Sequence, residues 1–231
     1  MKEEKKSIEL RDGFYSDSNL TVEMLQKGYL DIAVIIGNLG QEFSMRYCDG
    51  CTVFKVSCKK KDCLALETDG KKLAEFINEH LDFYSKIILH CNSWYALCFL
   101  NLTQWLDARA KFRTSIVSVS APLKGTDMIH HFYHSVANDI HADSEFIQNL
   151  NIKQIIKEID CHFVVSKFGL SFNPYDLMLW IVDCLFKVNG DGIVSIESQM
   201  QDEMYDTVFA SHFTAMRKSC RFVEAIINKN L

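Results

Sequence analysis

Ser93, Asp191 and His212 are residues whose types and local settings fit together as an activated nucleophile. A serine hydroxyl attacks a carbonyl carbon only when a base takes its proton, and an imidazole base works best when a carboxylate fixes its tautomer. Ser93 stands in Ile87-Ile88-Leu89-His90-Cys91-Asn92-Ser93-Trp94-Tyr95-Ala96, which reads as an apolar strand, a sharp turn and a helix start. Asp191 lies between two glycines in Gly190-Asp191-Gly192-Ile193-Val194, and His212 lies in Ser211-His212-Phe213. The chemistry such a set performs is acyl transfer: Ser93 takes the acyl group of an ester or thioester, and water removes it. The backbone N–H of Trp94 would face the oxyanion. Each residue also has a bland explanation: an ordinary strand-to-helix turn, a turn aspartate between glycines, a surface histidine. Cys91 is an alternative elbow residue, making the chain a cysteine-dependent hydrolase, at the cost of a shorter strand.

These residues need a scaffold that brings three distant segments together. Asp31 to Ile36 is a short apolar run ending in Gly37-Asn38-Leu39-Gly40, which predicts a buried strand and a tight turn. Further strands are predicted at Thr52 to Val56, Ile87 to Leu89, Thr114 to Ser120 and His162 to Ser166. Asp206 to Ala210 reads as a sixth strand or a turn. Helical spacing predicts helices over Lys71 to Tyr84, Trp94 to Ala110 and Arg217 to Asn228. Continuous apolar strands alternating with helices imply an α/β fold whose mainly parallel sheet is covered on both faces. Such sheets bind ligands at the carboxyl ends of their strands, where the Gly37 turn, Ser93 and the Pro122 to Thr126 loop all fall.

Three segments give the chain a family resemblance. Ser118-Val119-Ser120-Ala121-Pro122-Leu123-Lys124-Gly125-Thr126 is similar to the T-P-H-x-G-[ST] loop of true lipases. Asn189 to Ser198 is similar to their N-D-G-x-V-x-x-x-S run, which holds the triad acid, and Ser211-His212-Phe213 is similar to the N-H-[LF] that supplies the base. With the order nucleophile, acid, base, the chain resembles the bacterial lipase and esterase branch of the α/β-hydrolases from about residue 31 to its end. The resemblance implies Ser93, Asp191 and His212 as the triad, and backbone N–H groups of Trp94 and of Asn38 or Leu39 as the oxyanion hole. It departs from the family at the elbow, where G-x-S-x-G becomes C-x-S-x-Y, so that Tyr95 must point away or tilt the helix; the missing glycines equally suit a hydrolase-fold protein that has lost catalysis and serves as a binding or interaction module. The His-Gly that precedes the second oxyanion donor is Ile36-Gly37 here.

The 231 residues and 48% hydrophobic content suit a single domain, residues 1–231. Within it, 127–159 and 172–188 are candidate cap or lid segments, the first striped with Ile147, Leu150, Ile155 and Ile159, the second with Leu177, Met178, Trp180, Ile181, Leu185 and Phe186. Leu123, Leu177 and Trp180 are the candidate lining of an acyl pocket. Plain core packing explains both segments equally well, and a surplus of exposed apolar surface would instead suit a homodimer or a membrane-touching face.

A net charge of −5, without a basic aromatic stripe, argues against a nucleic-acid partner. The charged Met1 to Lys6 followed by no apolar stretch, an apolar maximum too short to span a bilayer, and nine cysteines predict a cytoplasmic protein with reduced thiols and no transmembrane segment. Cys48, Cys51, Cys58 and Cys63 suggest a metal site, but a strand between Cys51 and Cys58 would hold them about 20 Å apart; Cys48 and Cys51 could instead form a regulatory disulfide. His130, His131, His134 and His141 lack the glutamate of an H-E-x-x-H pair and read as a solvated helix face. No phosphate loop or dinucleotide fingerprint is present, and the acyl-transfer chemistry calls for no cofactor and no metal.

Overall fold

The computed structural model describes residues 14–17, 20–37, 50–58, 66–126, 137–168, 174–200, 205–212 and 214–231. Strands β1 (Phe14–Asp17), β2 (Leu20–Gln26), β3 (Ile32–Gly37) and β4 (Thr52–Cys58) precede α1 (Leu66–His80). Strand β5 (Lys86–Asn92) runs into α2 (Trp94–Leu102), which α3 (Ala108–Arg113) follows. After β6 (Thr114–Val119) come three short helices, α4 (Ala137–Ile140), α5 (Glu145–Asn149) and α6 (Ile152–Glu158). The remaining elements are β7 (Asp160–Lys167), α7 (Pro174–Phe186), α8 (Ile196–Gln199), β8 (Asp206–Phe209) and α9 (Ala215–Asn230).

Among the described residues the eight strands form one sheet in the order β1-β2-β4-β3-β5-β6-β7-β8. Strands β3 to β8 are parallel, while β2 runs antiparallel to β4 and to β1. Alternation along each strand sends side chains to two separate cores. Ala33, Ile35, Phe54, Ile87, Leu89, Cys91 and Ile116 face the layer built by α1 and α2. Ile32, Val34, Ile36, Val53, Ile88, Val117 and Val119 face α9 through Met216, Val223, Ile226 and Ile227. Both faces are covered, which is why the central strands are apolar on both sides. All nine residues of α2 are buried, as a helix wedged between a sheet and another helix requires.

The expected α/β architecture and its mainly parallel sheet are what the chain forms. Asp206 to Phe209 is a strand, β8, rather than a turn. The single helix expected over Trp94 to Ala110 is two. Thr103 turns the chain by bonding the Leu100 carbonyl, and Asp107 restarts it by accepting from the Ala110 N–H at 2.6 Å. Asn78 of α1 clamps this break, donating to the Trp105 carbonyl at 3.0 Å and accepting from the Asp107 N–H. Helix α1 starts earlier than its apolar stripe suggested and ends at His80. Within the described part of 127–159, Ile140, Ile147, Leu150, Ile152, Ile155 and Ile159 belong to the buried cluster that also holds residues of α1 and α2.

One buried group ties the central strand to the last helix. His90, on β5, is fully enclosed and its Nε2 lies 2.7 Å from Ser219 Oγ of α9. Burial lowers its pKa to about 3, so the ring is neutral in the fold. The unfolded chain regains the ordinary value of 6.5. Stability present above that pH is therefore lost as the pH falls from about 6.5 towards 3, approaching about 1.4 kcal/mol per pH unit. Urea unfolding of the wild type and of His90→Gln between pH 7 and 4 checks this. The advantage of the wild type should shrink with falling pH, whereas parallel profiles would mean that His90 titrates alike in both states.

Candidate active site

Three strand ends carry the candidate residues to one rim of the sheet. Strand β5 ends at Asn92, and Ser93 occupies the turn before α2 with φ 58° and ψ −131°. A non-glycine residue in this left-handed region is strained and persists only where its surroundings hold it. Here the Ser93 N–H donates to the Val119 carbonyl on β6, and its own carbonyl accepts from the Ala96 N–H in the first turn of α2. Ser93 thus lies in the turn between β5 and α2, which begins with the Trp94 N–H, one of the donors that a helix start leaves without an intrahelical partner.

The aspartate sits in the excursion between β7 and β8. Gly190 forms an isolated bridge with Ser195, and the Gly190 N–H donates to Asp183 of α7 at 3.0 Å. Gly192 has φ +95°, and a Cβ there would lie 2.8 Å from Leu179 Cβ and 2.9 Å from its carbonyl oxygen, so only glycine fits. Asp191 is entirely buried. Its Oδ1 accepts from the N–H groups of Ile193 at 3.1 Å and Val194 at 2.9 Å, and its Oδ2 accepts from Ser166 Oγ at 2.6 Å. The same Oδ2 lies 2.8 Å from His212 Nδ1. Burial opposes the charged form, but the His212 charge, its hydrogen bond, the Ser166 hydroxyl and the Val194 N–H outweigh it and hold the carboxyl below its ordinary pKa. A carboxylate can only accept, so Nδ1 carries a proton; in the neutral ring that tautomer leaves the lone pair on Nε2.

His212 follows β8 in a turn built by Ser211 and Thr214, whose hydroxyls lie 3.0 Å apart. The His212 N–H donates to the Asp191 carbonyl at 3.1 Å, and its own carbonyl accepts from Asn92 Nδ2 at 3.1 Å. Asn92 is the residue before Ser93. Acid, base and elbow are thus linked through main-chain groups as well as through side chains. Asn92, Ser93, Asp191 and His212 are all buried.

Cys91 does not share this position. It is a strand residue, fully buried, with its thiol on the Val117 carbonyl at 3.5 Å. Burial and the neighbouring Cys161 raise its pKa well above the ordinary value, so it stays a thiol. The side chain faces the core under α2, away from the turn. Its burial within the strand argues against it as the nucleophile.

The missing elbow glycine has a physical replacement. Tyr95 neither projects into the turn nor reaches solvent; it stacks on Trp94 with ring centroids 3.8 Å apart and meets Phe99 edge-on at 6.3 Å. The space comes from Gly37 at the end of β3, where a Cβ would fall 2.9 Å from Tyr95 Cβ and 2.8 Å from Phe99 Cζ. The close approach of helix and strand is thus made by a glycine on the strand.

The other expected residues are placed less evenly. Asn38 and Leu39, the candidates for the second oxyanion donor, lie outside the described residues. Leu123 is buried in the same apolar cluster as Ala121, and its N–H donates to the Ala121 carbonyl. Leu177 and Trp180 are each about half exposed on α7, at 54% and 51%. That helix docks through Leu179 on Ile193, Val194 and Phe168 and leaves Met178, Ile181, Leu185 and Phe186 exposed. The strand expected between Cys51 and Cys58 is present; Cys48 and Cys63 lie outside the described residues, as do His130, His131 and His134. His141 lies 3.8 Å from Asp143. Among the described residues no three metal-ligating side chains gather, and no helix is long and apolar enough to cross a membrane.

No family model matches the sequence, and no curated protein matches it significantly. Solved structures do match. The mature form of Bacillus licheniformis lipase BlEst2 aligns over 85% of this chain and 90% of its own, with a TM-score of 0.58 at 13% identity. Its propeptide form aligns over 89% of this chain, which spans only 50% of that longer one, with a TM-score of 0.63. The metagenomic carboxyl esterase MGS0156 aligns over 90% of this chain and 78% of its own, with a TM-score of 0.58 at 12% identity. The chain has the α/β-hydrolase fold.

Sequence reasoning missed Gly37 as the partner of Tyr95, and also Asn92, Ser166 and Gln199. The first needs strand pairing that no local pattern reveals. Asn92 and Ser166 are polar residues inside apolar strands, whereas Gln199 lies at the end of the short helix α8. For the glycine exchange, Gly37→Ala is expected to destabilise the fold by about 1–3 kcal/mol. In the Tyr95→Gly background the same change should cost at least about 1 kcal/mol less. A double-mutant cycle by chemical unfolding measures this, and additive losses would show that the two positions do not compete for space.

Proposed function

We propose that the chain is a serine hydrolase that cleaves a carboxylic ester or thioester through an acyl-enzyme on Ser93. The observation that carries this is the buried 2.8 Å contact between Asp191 and His212, tied through Asn92 to a serine held at φ 58°. In this mechanism His212 Nε2 accepts the Ser93 proton as Oγ bonds to the carbonyl carbon. The ring becomes an imidazolium, which the adjacent Asp191 carboxylate stabilises. The tetrahedral oxyanion takes the Trp94 N–H and a second N–H from Asn38 or Leu39. Collapse expels the alcohol or thiol, which leaves with the proton from His212. Water then enters by the same path in reverse and releases the acid.

The neighbours of like fold include a lipase and a carboxyl esterase, which supports ester hydrolysis as the reaction class. The exposed apolar face of α7, which docks beside the Asp191 loop through Leu179, supports an acyl substrate with a hydrocarbon portion. The carbonyl chemistry is the same for an oxygen or a sulfur leaving group, so both belong to the proposed substrate class.

A fluorophosphonate probe followed by peptide mass spectrometry tests the proposal. Labelling is expected at Ser93 and is lost in Ser93→Ala. With p-nitrophenyl esters, Asp191→Asn should lower kcat by about 10⁴-fold, with the fold intact by circular dichroism. His212→Ala should do at least as much. A wild-type protein that takes no label and turns over no ester of any chain length would contradict the assignment.

A further inference from the structure

The carboxylate of Asp191 is held by a device that the triad alone does not require. Ser166 ends the buried part of β7, and its side chain has no exposure. Its hydroxyl has three oxygens in reach, Asp191 Oδ2 at 2.6 Å, Gln199 Oε1 at 3.2 Å and the Ser120 hydroxyl. The carboxylate is the strongest acceptor of the three and can only accept, the Ser120 hydroxyl can donate instead, and Gln199 Oε1 already accepts the Ser166 N–H at 2.7 Å. The Ser166 proton therefore goes to Asp191. Ser120, at φ 50° after β6, contacts Ser166 Oγ and must then be the donor of that bond. The chain of donors runs Ser120 to Ser166 to Asp191.

Gln199 makes the arrangement rigid. Its amide reads both backbone groups of Ser166, accepting from the N–H and donating to the carbonyl at 3.1 Å. It also donates to the Val194 carbonyl at 2.9 Å, and the Val194 N–H in turn binds Asp191 Oδ1. One buried side chain thus joins the end of β7 to the loop that carries the acid. The two oxygens of Asp191 have different partners, two backbone N–H groups on Oδ1 and Ser166 with His212 on Oδ2, so the carboxylate cannot rotate without breaking charged hydrogen bonds.

We propose that Ser166, fastened by Gln199, is a positioning residue that orients the Asp191 carboxylate on His212 and sets how strongly it holds the ring's proton. The catalytic consequence rests on the serine-hydrolase function proposed above; the effect on the ring does not. The hydroxyl shares the charge on Oδ2, and this sharing stabilises the pair more when the ring is neutral than when it is an imidazolium. Without it the carboxylate pulls harder on the ring proton, so His212 becomes more basic.

The test is an NMR titration of the His212 ring in the full chain for wild type, Ser166→Ala, Ser166→Cys and Ser166→Thr, alongside ester kinetics. Ser166→Ala should raise the His212 midpoint by roughly half a pH unit. It should lower kcat about tenfold to a hundredfold at little change in KM, with the acid limb of the rate profile moving with the titration. Ser166→Thr, which keeps the hydroxyl, should restore both. Ser166→Cys keeps the volume with a weaker donor, so it should shift the midpoint in the same direction and serves if the alanine variant does not fold. An unmoved midpoint in the alanine or cysteine variant overturns the proposal, even where kcat falls, because a purely structural loss would leave the ring's titration alone. Absence of esterase activity in the wild type would count against the hydrolase function, and the His212 midpoint would still decide the role of Ser166.

Discussion

A fully buried carboxylate must be matched by donors, and much of this site follows from that demand. Asp191 has no contact with solvent, yet it stays charged because two backbone N–H groups, a serine hydroxyl and an imidazole surround it. Each donor fixes an element. Ile193 and Val194 fold the loop back on itself, Ser166 anchors it to β7, and His212 brings in the turn after β8. Glycine at 192 is the backbone condition for this, since the loop must bend beneath α7 where no side chain fits. The Asp191–His212 pair thereby joins the loop after β7 to the turn after β8.

The elbow solves a different problem, one of space. A helix that starts directly after a strand must lie close to the neighbouring strands, and bulk at its first turn would push it away. The chain keeps Tyr95 and removes the opposing side chain at Gly37 instead. In return α2 gains a stacked Trp94–Tyr95 pair and an edge contact to Phe99 within an apolar layer. The backbone of Ser93 keeps its strained form because β6 and α2 each bind one of its main-chain groups.

The parts legible in the sequence are those that local patterns encode. The apolar run Ile87 to Leu89 marks the central strand, the glycines around Asp191 mark a special turn, and the alternation of strands with helices implies the parallel sheet. What escaped lies in pairing and in long-range contact. Strand β2 is only half buried: Glu23 and Leu25 are open to solvent while Leu20 and Val22 are not, so its pattern lacks the continuous apolar signature of the central strands. The break after Leu102 is clamped by Asn78, distant in sequence. Ser120, Ser166 and Gln199 carry no spacing rule, and their roles come only from the three-dimensional meeting of β6, β7 and α8.

The account depends on His212 delivering its Nε2 to the Ser93 hydroxyl at the rim of the sheet. A crystal structure of the protein after reaction with a phosphonate ester tests this most directly. The account predicts phosphorus bonded to Ser93 Oγ, the phosphonyl oxygen within about 3 Å of the Trp94 N–H, and His212 Nε2 within hydrogen-bond reach of an oxygen of the adduct. An unmodified Ser93, or a phosphonyl group on another residue with the His212 ring turned away from the elbow, would contradict it.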